Sequence, residues 1–336
     1  MPMTLYRSII RQSFIIAWKH KYLWFFGLFA TLLSSNFEIE LINRFTNRSS
    51  STIYDWQRWA QTGIFSPSAW ANLGQMMKTD PWSFASIIIV IIVIVALALA
   101  LLWLAVVSQG ALVSNANKAV SSGGKVPSSI EKKHDTAMGF REGRKNFWPI
   151  FGVNALVRIM VYVLALITIA PVAISAHLTV TASLMYFILF IILLAVALIL
   201  AFITKYAIAY VVLKGQAMGQ SIVSAWRLFK KNWLVSLEMT FILFALTIVA
   251  TLAIILAVLL LAIPIALLYV LSVFVASFPL FLATIVLGLI FSIALVVIGG
   301  SILTVIQTTA WVALFNQLVS GKGPDSKLER VFGNIL

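Results

Sequence analysis

The stretch Ser224–Leu234, SAWRLFKKNWL, decides how the chain is read: a basic, aromatic amphipathic helix runs straight into a long apolar run that begins at Val235. Aromatic rings and cations favour the headgroup layer and an apolar run favours hydrocarbon, so this is the sequence of a membrane entry point. The phrase recurs. In Met138–Trp148, MGFREGRKNFW, the residues Phe140, Arg141, Arg144, Lys145, Asn146 and Phe147 hold the places of Trp226, Arg227, Lys230, Lys231, Asn232 and Trp233, at a constant offset of 86 residues from 140 to 226. A looser version, Ala17–Trp24, AWKHKYLW, stands before the first apolar run with one residue fewer.

Working outward, composition agrees with membrane entry. Hydrophobic residues are 62% of the 336-residue chain and charged residues 10%, against roughly 45–50% and about 25% in soluble domains. No stretch between the apolar runs is able to close a separate core, so a single membrane domain over residues 1–336 is expected. The formal net charge of +14 comes from cations beside apolar spans, where anionic lipid and insertion topology account for them, and no nucleic-acid partner is expected. The absence of cysteine excludes disulfides, thiolate metal sites and thiol catalysis.

A membrane helix needs about 20 apolar residues to cross roughly 30 Å of hydrocarbon. Six spans are expected in an all-α polytopic bundle. Leu5–Lys21 reads as an interfacial helix with Ile9, Ile10, Phe14 and Trp18 on one face, followed by a short first span, Tyr22–Ser34, expected to stay as an uncleaved anchor. Residues 36–82 form a polar excursion of zero net charge with Trp56, Trp59 and Trp70, expected to rest on the outer surface. Within it Asn47–Ser49 forms a glycosylation tripeptide, without meaning in a bacterial protein. The second span is Phe84–Val107, its helix continuing towards Val120. The turn SSGGKVPSS, Ser121–Ser129, lacks the glycine and hydroxyl residue of a phosphate loop, since Ala119 and Val126 stand there. A second interfacial helix at Ile130–Asn146 leads to spans at Phe147–Ala176 and Ser183–Leu213. From Val235 two helices are expected, to Ile263 and from Leu280 to Leu318, with Pro264–Pro279 as a kinked or re-entrant piece.

Eighteen of the 24 lysines and arginines fall in segments that this topology puts in the cytoplasm, and four fall outside. The positive-inside rule therefore predicts both termini in the cytoplasm of a bacterial inner membrane. The three phrases become pseudo-repeats of interfacial helix, span out and span back, over residues 5–120 (with the loop 36–82 inserted), 128–213 and 219–319, with 320–336 as a cytoplasmic tail.

On the entry AWKHKYLWFFGLFA, on Gly110–Leu112 followed by a helix ending in RKNFW, and on SAWRLFKKNWL, the chain resembles a large group of uncharacterised bacterial polytopic proteins. That group includes the membrane domain attached to glycerophosphodiester phosphodiesterases. No stretch of these 336 residues is expected to form the catalytic domain of those enzymes. The resemblance implies a membrane-embedded accessory or lipid-facing role and transfers no catalytic residue.

A direct search for catalysis agrees. His20, His134 and His177 fall in different segments, no zinc spacing exists, and Ser221 in Gly219–Ser221 has no histidine placed to activate it. The expectation is of no enzyme activity, no cofactor and no metal site. The candidates that remain are ionisable groups in or beside the spans, Arg158, Lys205 and Glu238. As the one acidic residue in the spans, Glu238 is expected to pair with Lys205 or Arg158 in the inner half of the bundle; the alternative is that all three mark the inner interface, with the cations snorkelling.

Two function classes follow. In the first, Arg141, Arg144, Lys145, Arg227, Lys230 and Lys231 contact anionic lipid or a membrane-protein partner in a non-catalytic accessory or scaffold protein. In the second, a permease or channel for a small solute or lipid works through Arg158, Lys205 and Glu238. Sequence favours the first, because the spans carry no obvious string of inward polar residues.

Overall fold

The computed structural model describes residues 4–31, 33, 66–123, 129–174 and 180–320. The regular elements among them are all helices: α1 (Thr4–Lys19), α2 (Leu23–Thr31), α3 (Pro67–Thr79), α4 (Pro81–Ser121), α5 (Ser129–Lys145), α6 (Phe147–Ile174), α7 (Val180–Lys214), α8 (Met218–Lys231), α9 (Trp233–Phe274) and α10 (Phe278–Val319). Five stretches of them are long and apolar enough to cross a membrane: Pro81–Ser121, Phe147–Leu164, Phe187–Lys214, Trp233–Phe274 and Phe278–Val319. The first expected span is described only as the nine residues of α2. The glycosylation tripeptide, Trp56, Trp59, His177 and the C-terminal tail from 321 lie outside the described residues.

The chain divides into two compact units. One comprises Met1–Ser35, Ala105–Ala155 and Phe202–Leu336; the other, Asn36–Leu104 and Leu156–Ala201. The first unit carries a core in which Ile16, Ala17, Leu23, Phe26 and Ala30 of the N-terminal helices meet Ala111, Leu112 and Ala119 of α4 and Val305 and Ile306 of α10. Small residues set the spacing. A Cβ on Gly27 would lie 2.7 Å from the Ser301 carbonyl oxygen, and one on Gly143 would lie 2.1 Å from that of Val107. At both positions hydrogen alone lets two helix backbones touch, α2 against α10 and α5 against α4. The Ser301 hydroxyl seals the first contact by donating to the Trp24 carbonyl.

In the second unit α3 and α4 are joined at Asp80, which precedes proline and accepts from the Ser83 amide (3.2 Å) and hydroxyl (2.5 Å). These bonds hold the Asp80 carboxyl below its ordinary pKa and cap the start of α4.

Pro264 does not break its helix as expected. Helix α9 runs through it to Phe274, and the reversal happens in three residues, Val275–Ser277. There Ala276 takes φ 50°, the Ser277 amide donates to the Ser272 carbonyl and the Ala276 amide to that of Val273, which is the Schellman pattern. Ser277 then caps α10, with Pro279 in its first turn. Residues 264–279 are thus the end of one helix, a tight turn and the start of the next, without a re-entrant piece.

Candidate membrane-interface site

The two full copies of the entry phrase fold alike. Asn146 and Asn232 each close an interfacial helix: main-chain and side-chain amides of Asn146 both donate to the Glu142 carbonyl (3.1 and 3.0 Å), and those of Asn232 to that of Leu228 (both 3.1 Å). Each asparagine carbonyl then accepts the first bond of the following span, from Ile150 and Ser236 respectively. A side chain that satisfies the last turn of one helix while its own carbonyl starts the next explains why asparagine stands at this place twice.

Helix α8 turns Ser221, Ala225 and Leu228 into the protein. Phe229 stacks on Phe202 of α7, with ring centroids 5.2 Å apart. On the opposite side Val223, Trp226, Arg227, Lys230 and Lys231 are exposed, as is Trp233 at the first turn of α9. The apolar flank and the cations therefore share one outward surface, the arrangement of an interfacial helix. In α5, Arg141, Arg144 and Lys145 are likewise exposed above an exposed Trp148, while Gly139 and Gly143 face inward.

Helix α1 differs from expectation in its face. Tyr6, Ile9, Ser13, Ile16, Ala17 and His20 are buried, whereas Phe14 and Trp18 are exposed and Ile10 lies between. The apolar arc is wider than one contact: its centre packs against α10, and the flank with Phe14 and Trp18 is left at the surface beside Arg7 and Arg11.

Each of the three candidate ionisable residues has a definite setting. Glu238, half-buried on α9, accepts a 2.7 Å hydrogen bond from the Tyr6 hydroxyl, and burial together with this carboxylate pushes the Tyr6 phenol above its ordinary pKa. Lys205, on α7, holds its ammonium 4.7 Å from the centre of the Trp311 ring. That ring packs edge-on against Phe202 and Tyr206, and the Tyr206 hydroxyl lies 2.7 Å from that of Ser236. Arg158 is half-buried on α6 and belongs to the second unit. Tyr6 and Trp311 are the partners that sequence reasoning missed; 232 positions separate Tyr6 from Glu238, and no local pattern links them.

Among the described residues no group of three or more histidine, aspartate or glutamate side chains is placed to hold a metal ion. No family model, curated protein or solved structure matches the chain.

Proposed function

We propose that this protein is a non-catalytic, multi-pass component of a bacterial cytoplasmic membrane that binds anionic lipid through α1, α5 and α8, with both termini in the cytoplasm. The observation that carries the reading is the outward surface of α8. Its buried stripe is already used against its own protein, yet Trp226, Arg227, Lys230 and Lys231 stay exposed together, and residues 203–237 contain no acidic residue to neutralise them. Exposed cations beside an aromatic ring suit a layer of lipid phosphates, each cation contributing about 1 kcal/mol near an anionic surface. The entry-phrase resemblance points the same way, towards an accessory or lipid-facing role.

Native mass spectrometry of the protein released with its surrounding lipid tests this. The wild type should retain anionic phospholipid, and the triple variant Arg227→Gln, Lys230→Gln, Lys231→Gln should remain inserted but bind it about 150-fold more weakly, the equivalent of about 3 kcal/mol. Equal retention by both proteins would overturn the proposal, and a stoichiometric protein partner lost in the triple variant would replace lipid with that partner.

A further inference from the structure

Many helical hydroxyls and amides among the described residues bond in the same way. Ser13, Ser236, Thr240, Thr247, Thr284 and Thr304 each donate to the carbonyl four residues earlier. Asn146, Asn154 and Asn232 do the same through their side-chain amides. In an apolar surrounding this is the nearest acceptor and the usual solution. Others, such as Ser301 and Asn316, reach a neighbouring helix instead, but Ser108, Asn115 and Thr309 do neither. Ser108, Asn115 and Thr309 are all at 0% exposure, and neither hydroxyl, nor the nitrogen or oxygen of the Asn115 amide, meets a partner within the protein.

The three exceptions converge on one part of the first unit. Ser108 and Asn115 are seven residues apart on α4 and therefore share a face. Thr309 shares a face of α10 with Val305 and Asn316, and contacts to α4 flank it on both sides. Val305 and Ile306 pack in the core with Ala111 and Leu112, and the Asn316 amide donates to the Asn117 side-chain oxygen at 2.7 Å. Asn115 also lies directly against Gly139 of α5, whose missing Cβ would fall 2.1 Å from the amide nitrogen. Residues 108, 115 and 309 thus hold neutral donors and acceptors without a protein partner, in a core where an unsatisfied polar group is costly. Three such groups left unpaired would use up a sizeable fraction of an ordinary folding free energy.

We propose that Ser108, Asn115 and Thr309 line a buried binding site for small uncharged molecules that both donate and accept hydrogen bonds through oxygen, either several waters or a hydroxyl-bearing solute long enough to bridge the roughly 10 Å between Ser108 and Asn115 along α4. Uncharged is specified by the groups themselves: two hydroxyls and a carboxamide supply paired donors and acceptors and no net charge.

The natural absence of cysteine allows a test without background. Single substitutions Ser108→Cys, Asn115→Cys and Thr309→Cys in the membrane-embedded protein are treated with a small methanethiosulfonate reagent, alongside Val106→Cys and Val305→Cys at equally buried apolar positions. Labelling at the three polar positions and not at the two valines is the expected result. Slowing of that labelling by added glycerol identifies a hydroxylated solute as the occupant, and unchanged labelling identifies water. No labelling at the polar positions, or equal labelling at the valines, overturns the proposal. Asn115→Leu gives an independent answer: an occupied site predicts a lower melting temperature, whereas a dry one predicts a higher melting temperature, because the substitution then only removes an unsatisfied group.

Discussion

Replacing Gly143 with alanine should loosen the docking of α5 on α4, and the size of the effect follows from the contact. The new Cβ would stand 2.1 Å from the Val107 carbonyl oxygen and 3.1 Å from the Ala111 nitrogen. An ordinary carbon–oxygen approach is about 3.3 Å, so the helices must separate by about 1.2 Å. Both obstructing atoms are backbone, so no side-chain rotation relieves the clash. Overpacking of this kind costs about 1–3 kcal/mol, against which the better helix propensity of alanine returns at most about 1 kcal/mol. A displacement of this size with no rotamer to relieve it belongs at the upper end of that cost, for a net loss of about 2 kcal/mol and a fall in melting temperature of about 4–8 °C, followed through tryptophan fluorescence in detergent micelles. Gly219→Ala on α8 is the control, since a Cβ there meets nothing within 4 Å, and it should leave the melting temperature unchanged or slightly raised. A Gly143→Ala protein as stable as the wild type would refute the claim that backbone contact sets the distance between α4 and α5.

Tyr6→Phe removes the donor to the Glu238 carboxylate and should destabilise the protein by about 1.5–3 kcal/mol, an effect that largely vanishes in a Glu238→Leu background if the two residues act as a pair. Because the folded state holds the Tyr6 phenol above its ordinary pKa of 10.0, its contribution is fully present below that pH and is lost as pH rises towards the folded value; a urea titration at rising alkaline pH should show this loss in the wild type and not in Tyr6→Phe. Ala276→Gly should stabilise the α9–α10 turn by about 1 kcal/mol, since φ 50° is a left-handed conformation that glycine adopts freely, and a lower melting temperature would contradict that geometry. Lys205→Met should weaken stability by about 0.5–1 kcal/mol through loss of the ammonium over Trp311, with Trp311→Leu costing more through lost packing.

Local signals carried the helix boundaries well and the side-chain partnerships poorly. The doubled RKNF/KKNW phrase marks both junctions because asparagine acts there through bonds to its own neighbours, Glu142 and Leu228. Such short-range chemistry is written in adjacent residues. Pro264 misled for the opposite reason. A proline in an apolar helix forfeits one main-chain bond, and neighbouring packing tolerates this where the helix is surrounded by other helices or lipid; the true reversal is set by Ser277 and Pro279, ordinary cap chemistry a turn further on. The inward face of α1 was misjudged because Ile9, Phe14 and Trp18 are equally apolar in sequence, and only the presence of α10 decides which of them is covered. For the candidate site, the exposed cations of α5 and α8 were legible from their spacing. The settings of Glu238 and Lys205 were not, since Tyr6 and Trp311 reach them only through the tertiary fold.

The switch in exposure along α4 and α10 has a consequence for membrane thickness. On α4, residues 81–103 are largely exposed and burial begins at Ala105; on α10, residues 278–300 are largely exposed apart from Thr284 and Gly288, which face α9, and burial becomes dense from Ser301. Each exposed length is 23 residues, or about 34 Å, although the helices themselves contain 41 and 42 residues. Two helices from distant parts of the sequence thus present equal rulers to the acyl chains. Against about 30 Å of hydrocarbon they match at a tilt of about 28°, inside the common range, so lengthening the acyl chains should stand them more upright and shortening the chains should lean them further.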